Sequence, residues 1–183
     1  MDFESVKSQI TKVLVTEEQI KQRVVELAAE VDKKYAGKEV LLVGVLKGAV
    51  MFMADLSRAL KMETSMDWMA LSSYGSGTVS SGVIRILKDL DAEIHGKHVL
   101  IVEDIVDSGL TLSWLQTTLA ARGAASVEVV AFLRKPTAAK VDVPVWLVGF
   151  DIPNEFVVGY GLDYNERFRS LNCVGVLDPK VYS

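Results

Sequence analysis

The sequence predicts an α/β fold, with a mostly parallel central sheet flanked by helices on both faces. Three observations predict it. Apolar runs rich in β-branched residues, at 40–46, 99–102 and 126–133, read as strands buried on both faces. Segments with apolar residues at helical spacing alternate with them. Half of the 183 residues are hydrophobic, enough for the sizeable core of a single domain.

Composition excludes several classes of function. The net charge is −4 and no basic block occurs, which argues against a generic nucleic-acid surface. The single cysteine, Cys173, permits no internal disulfide and fits a reducing compartment. No apolar run approaches the length of a transmembrane helix. Met1, Asp2, Phe3 and Glu4 lack the basic start and apolar core of a signal peptide. A soluble, cytoplasmic protein is expected, with no membrane and no nucleic-acid partner.

Along the chain, Thr16 opens the first helix. It can cap that helix, and Gln19 stands three residues on, as in a capping box. Ile20, Val24, Leu27, Ala28 and Val31 recur at helical spacing, with an end expected near Tyr35, before Gly37. Strand 40–46 runs into Lys47 and Gly48, then into a helical pattern over 49–60. Val50, Phe52 and Met53 of that helix suit a core or an interface. Residues 68–74 and 83–87 read as outgoing and returning strands. The Gly/Ser-rich segment 75–82 between them reads either as a hairpin tip or as a lid. His95 and His98 show no metal-ligand spacing and read as structural or surface residues. Strand 126–133 ends in Arg134, Lys135 and Pro136, and 145–150 is a further strand candidate. Residues 151–164 are aromatic and glycine-rich, with too little periodicity for regular structure.

The chemistry concentrates at 99–111. The apolar run is followed by two adjacent carboxylates, Glu103 and Asp104, and then by the turn Asp107, Ser108, Gly109. A helix over 111–122, closed by Gly123, is expected after it. Strand, acidic tip, short loop and helix make a phosphate cradle. Loop N–H groups and the helix N-terminus present partial positive charge, and the Ser108 and Thr111 hydroxyls add donors. The acids make sense there if they hold sugar hydroxyls or Mg²⁺. Alone, an acidic pair or a lysine at a strand end is a solvated charge. Here Lys47, Glu103, Asp104, Asp107 and Lys135 are all expected just past strand C-termini, the edge where open α/β sheets bind ligands.

Residues 99–111 resemble the phosphoribosyl pyrophosphate (PRPP) motif of type I phosphoribosyltransferases, most closely in its hypoxanthine-guanine form; Leu110 falls on a variable position of that motif. Further matches extend the resemblance from Leu41 to about Asp178. Leu46, Lys47 and Gly48 resemble the family's pyrophosphate loop, in which the peptide bond before the lysine can be cis. Ser73 and Tyr74 resemble the start of its flexible catalytic loop, which favours the lid. Residues 151–164 resemble the hood that holds the purine, and Leu177, Asp178 and Pro179 the usual ending.

The resemblance implies one phosphoribosyltransferase domain over 1–183, with a core at about 36–150 and a small hood from about 1–15 and 151–183. It implies transfer of 5-phosphoribosyl from PRPP to N9 of hypoxanthine or guanine, with Mg²⁺, by a homodimer or homotetramer. It assigns PRPP to Glu103, Asp104, Asp107, Ser108, Gly109, Leu110 and Thr111, with Asp107 as the catalytic base. Lys47, Gly48 and Arg169 would bind pyrophosphate. Lys135, Phe156, Val157 and Asp163 would bind the purine, and Glu103, Asp104 and Asp163 the metal. Two alternatives stay open: a xanthine-preferring transferase, and a non-catalytic PRPP-sensing regulator. Asp107, the hood residues and the acidic chain argue against the regulator.

Overall fold

The computed structural model describes residues 3–73 and 84–182. After a 3₁₀ turn at Lys7–Gln9 the chain forms β1 (Ile10–Val15), α1 (Glu17–Lys34), β2 (Val40–Leu46), α2 (Val50–Ala59) and β3 (Ser65–Ser73). β4 (Ile84–Lys88), β5 (His98–Val106), α3 (Leu110–Ala121), β6 (Ser126–Arg134) and β7 (Leu147–Asp151) follow. Two short strands, β8 (Val157–Val158) and β9 (Val174–Leu177), come last. The cap of α1 forms as its sequence predicts. The Thr16 hydroxyl accepts from the Gln19 N–H at 3.3 Å, and the Gln19 side chain accepts from the Thr16 N–H at 2.9 Å.

Six strands make the central sheet, in the order β4-β3-β2-β5-β6-β7. All neighbours are parallel except the edge strand β4, which runs antiparallel to β3. From β2 the chain moves outward to β3, and it later returns to lay β5 on the other side of β2. The crevice between β2 and β5 is therefore a topological switch point.

The alternation of side chains explains the apolar runs. Leu42, Leu100, Val102, Val130 and Phe132 face a layer made by α1 and α2, including Val24, Leu27, Phe52 and Leu56. Leu41, Val43, Ile101, Val129 and Ala131 face Leu112, Leu115 and Leu119 of α3. A strand sandwiched in this way needs apolar residues at successive positions. Phe52 and Met53 are fully buried, so they serve the core rather than an interface.

A second, three-stranded antiparallel sheet has the order β1-β9-β8. Val15, Val157, Val174 and Val176 join the α1/α2 core, while Val158 and Leu177 pack with Val6, Phe168 and Leu171. The sequence reading missed β1 and β9 as strands and took 151–164 as a loop. Such short strands, with exposed positions in β1 and a glycine in β9, show little alternation. No helix among the described residues is long and apolar enough to cross a membrane.

One buried acid ties the sheet edge together. Asp67 of β3 is 7 % exposed. It accepts N–H bonds from Trp68 at 2.7 Å, Asp91 at 2.8 Å and Ala92 at 2.9 Å, with Lys88 Nζ at 3.5 Å. Burial pushes its pKa up, but those N–H groups and Lys88 outweigh burial and hold it below the ordinary carboxylate value. Because the folded pKa is depressed, the stabilisation is present above the unfolded pKa and fades as pH falls through the folded one. Asp67→Asn turns an amide donor toward backbone donors. A loss of about 1–3 kcal/mol at neutral pH is expected in urea unfolding, shrinking toward zero in acid. A loss independent of pH would contradict the assignment.

Candidate active site

A cleft of about 320 Å³ opens over the C-terminal ends of the central strands. Lys47 and Gly48 come to it from the end of β2, Asp104 and Ile105 from β5, Asp107 from the turn after β5, and Lys135 from the end of β6. Phe156 just before β8, Val157 in it, and Leu162, Asp163 and Arg169 beyond it complete the lining. Residues scattered from 47 to 169 thus share one cavity at the switch point.

The backbone there approaches very closely. A Cβ on Gly48 would overlap the Asp104 carboxylate. A Cβ on Gly161, which sits at φ +102°, would overlap the Gly48 carbonyl. The Leu46–Lys47 peptide bond is cis.

Three charged groupings stand at the cleft, all their members but Glu166 lining it. Lys135 is only 8 % exposed, and its Nζ lies 3.1 Å from Asp107 Oδ2. Arg169 pairs with Asp163 at 2.8 Å and donates to the Gly161 carbonyl at 2.6 Å, while its buried Nε has no hydrogen-bond partner among the described residues. Glu166 bridges two cations, Lys47 at 3.1 Å and Arg169 at 3.5 Å. Its backbone N–H donates to Asp163 at 2.9 Å. The hydrogen bond from Lys47, with further help from Arg169, holds the Glu166 carboxyl below its ordinary pKa. Sequence reasoning missed Glu166. It lies in a segment where Asn165, Glu166 and Phe168 take positive φ, so no period could announce it.

The acidic pair departs from expectation. β5 extends to Val106, so Glu103 and Asp104 lie inside the strand rather than past it. Neighbouring strand residues point to opposite faces. Asp104 faces the cleft, and Glu103 is absent from its lining. Burial, opposed by the Ile105 N–H at 2.8 Å and by Arg169, pushes the Asp104 carboxyl up to about 6. Burial, followed by the charge of Asp104, raises Glu103 well above the ordinary value. Glu103 Oε2 is buried with no hydrogen-bond partner among the described residues.

Asp107 also lines a second cavity of about 390 Å³, shared with Arg134, Lys135 and 139–143. The Ser108 carbonyl accepts from the N–H groups of Lys140 at 3.0 Å and Val141 at 3.4 Å, which fixes the loop. The helix after it starts at Leu110, one residue earlier than predicted. Gly109 precedes it without a side-chain cap, and Leu110 and Thr111 fall in its first turn. An uncapped helix start presents N–H groups that suit an anion. Ser73 closes β3, and Tyr74, with the rest of the expected lid, lies outside the described residues. His98 Nδ1 meets Ser126 Oγ at 2.8 Å at the opposite end of the sheet, which fits its structural reading.

Residues 12–165 match the family described as phosphoribosyl transferase domain, which defines the class. The chain is 56% identical over 179 residues to a hypoxanthine-guanine phosphoribosyltransferase of Mycobacterium tuberculosis H37Rv, covering 94% of this chain and 89% of that one. It is 50% identical over 177 residues to the Bacillus subtilis protein of the same name, covering 97% and 98%. A crystal structure of a hypoxanthine phosphoribosyltransferase from Staphylococcus aureus matches with a TM-score of 0.95 at 45% identity, over 98% of this chain and 97% of that one. The chain belongs to the phosphoribosyltransferase family, in its hypoxanthine-guanine branch.

The contact between Gly48 and Asp104 makes a sharp test. In Gly48→Ala the added methyl displaces the Asp104 carboxylate. Transferase activity is expected to fall roughly 10²-fold, the scale of a 1 Å misplacement. Thermal unfolding should change little, because the cleft lies at the sheet's rim. Full activity in this variant would show that the close approach has no role.

Proposed function

We propose that the protein transfers 5-phosphoribosyl from PRPP to N9 of hypoxanthine or guanine and releases pyrophosphate, a purine salvage reaction. The observation that carries this reading is the Asp107–Lys135 pair at 3.1 Å, beside Phe156 on the cleft wall. A lysine can only donate, and an ionised carboxylate can only accept. Side by side they suit the adjacent O6 acceptor and N7 proton of a 6-oxopurine. The half-exposed Phe156 ring offers a face for stacking, and Val157 offers backbone groups to the base edge.

The remaining residues fit PRPP. The uncapped start of α3 and the 107–111 loop would take the 5′-phosphate. Lys47, Gly48 and Arg169 would take pyrophosphate, with the Arg169 guanidinium suited to paired hydrogen bonds. That ligand would have to displace Glu166 from both cations. As pyrophosphate leaves, the ribose gains oxocarbenium character. Asp107 would accept the N7 proton as N9 attacks. The small sheet and 151–183 would act as a hood over the rim.

The donor set fits Mg²⁺. It is all oxygen, and the orphaned Glu103 oxygen and raised Asp104 carboxyl both call for a positive partner. No group of three or more His, Cys, Asp or Glu among the described residues could hold an ion alone. Asp104 and Asp163, with Glu103 behind, would therefore supply part of the shell, and substrate oxygens and water the rest. When bound, the ion supplies positive charge to the departing pyrophosphate.

Two variants test the roles. Asp107→Asn should lower kcat roughly 10²–10⁴-fold, the usual reach of general acid–base help, and leave PRPP binding nearly intact. Unchanged kcat would remove the base. In calorimetry, Lys135→Ala should weaken purine binding more than PRPP binding; the reverse order would overturn the base-recognition assignment.

A further inference from the structure

Phe156 is 42 % exposed, an unusual state for a ring asked to hold a flat ligand at a fixed angle. What fixes it comes from elsewhere in the chain. The Tyr182 ring lies 5.0 Å from the Phe156 ring, tilted by 36°, and the Tyr164 ring meets Phe156 edge-on at 5.9 Å. Tyr164 and Tyr182 are 6.2 Å apart, so the three rings form one cluster. Phe156 lines the cleft, whereas neither tyrosine does. The tyrosines thus cover parts of the Phe156 ring turned away from the cavity.

The placement of Tyr182 is built, not incidental. The Phe156 carbonyl accepts from the Leu177 N–H at 2.9 Å, tying the base of the ring to β9. The next residue, Asp178, donates its N–H to the Gln9 carbonyl at 2.8 Å and caps the following 3₁₀ turn (Pro179–Val181) through the Lys180 N–H at 2.9 Å. The Tyr182 N–H closes that turn on the Pro179 carbonyl at 3.1 Å. Backbone bonds therefore tie the end of β9 to both Gln9 and Phe156, and the turn that follows ends at Tyr182.

We propose that Tyr182 is a positioning residue for the purine: its ring backs Phe156 and holds the stacking face in the orientation the base needs. This rests on the proposed function and adds to it a residue that never touches the base. Ordering a half-exposed aromatic ring costs rotamer freedom when the ligand arrives. A ring already packed on Tyr182 has lost that freedom beforehand, so the base binds more tightly. Lost order at Phe156 affects the purine alone. PRPP is held by other groups at the strand ends.

The test uses the full chain as wild type, Tyr182→Ala and Tyr182→Phe. In Tyr182→Ala the purine KM should rise about three- to tenfold, the range of one aromatic pair, with kcat and PRPP KM nearly unchanged. Tyr182→Phe keeps the ring and should restore the purine KM. Fluorophenylalanine labelling of wild type and Tyr182→Ala reads the same claim without turnover: the Phe156 resonance, assigned by its absence in Phe156→Leu, should shift or broaden in Tyr182→Ala. An inactive wild type would refute the proposed function and leave this spectral readout standing. An unchanged Phe156 resonance, an unchanged purine KM, equal rises in both KM values, or failure of phenylalanine to rescue would each overturn the proposal.

Discussion

Everything at the rim depends on two parallel strands from which the chain leaves in opposite directions. β2 and β5 are hydrogen-bonded neighbours, yet their onward connections lead to β3 on one side and β6 on the other. Between them, among the described residues, the diverging connections leave a crevice at the strand ends. Because both faces of the sheet are sealed by helices, the strands themselves must be apolar, and the polar chemistry is pushed to their C-terminal ends. That is why Lys47, Asp107 and Lys135, far apart in sequence, follow the last residues of β2, β5 and β6.

The rim concentrates charge in a confined space, and its acids and bases are accordingly matched. Lys135 is buried but paired, Arg169 is shared between Asp163 and Glu166, and Lys47 reaches Glu166. Asp104 and Glu103 are the exceptions. Burial, then the charge of Asp104, raises Glu103, and burial, only partly offset by N–H donors and Arg169, raises Asp104. Such a pair stabilises little by itself. It is poised to gain from a cation or from hydroxyl donors, as expected where function rather than stability sets the residue type.

Much of this was legible in the sequence because it obeys local rules. The capping box at Thr16, the strand 40–46 and the lysines at strand ends follow from spacing and residue type alone. The roles expected of these residues came from family resemblance, not from periodicity. The misses share a cause. β1 is held to β9 by pairing across more than a hundred residues, and β8 is a two-residue strand, so neither shows in local periodicity. Glu166 and the Tyr182–Phe156 contact depend on left-handed backbone and on remote packing. Glu103 and Asp104 were read as a single tip, but the strand's two-residue period sends them apart.

The central claim is that a donor-only lysine, paired with Asp107 at the crevice, selects the oxo edge of a purine. The most direct measurement is the initial rate of PRPP-dependent pyrophosphate release with hypoxanthine, guanine and adenine in parallel. Turnover with hypoxanthine or guanine and negligible turnover with adenine is the predicted result, since an amino group leaves Lys135 facing another donor. Adenine turned over as fast as the oxopurines would contradict it.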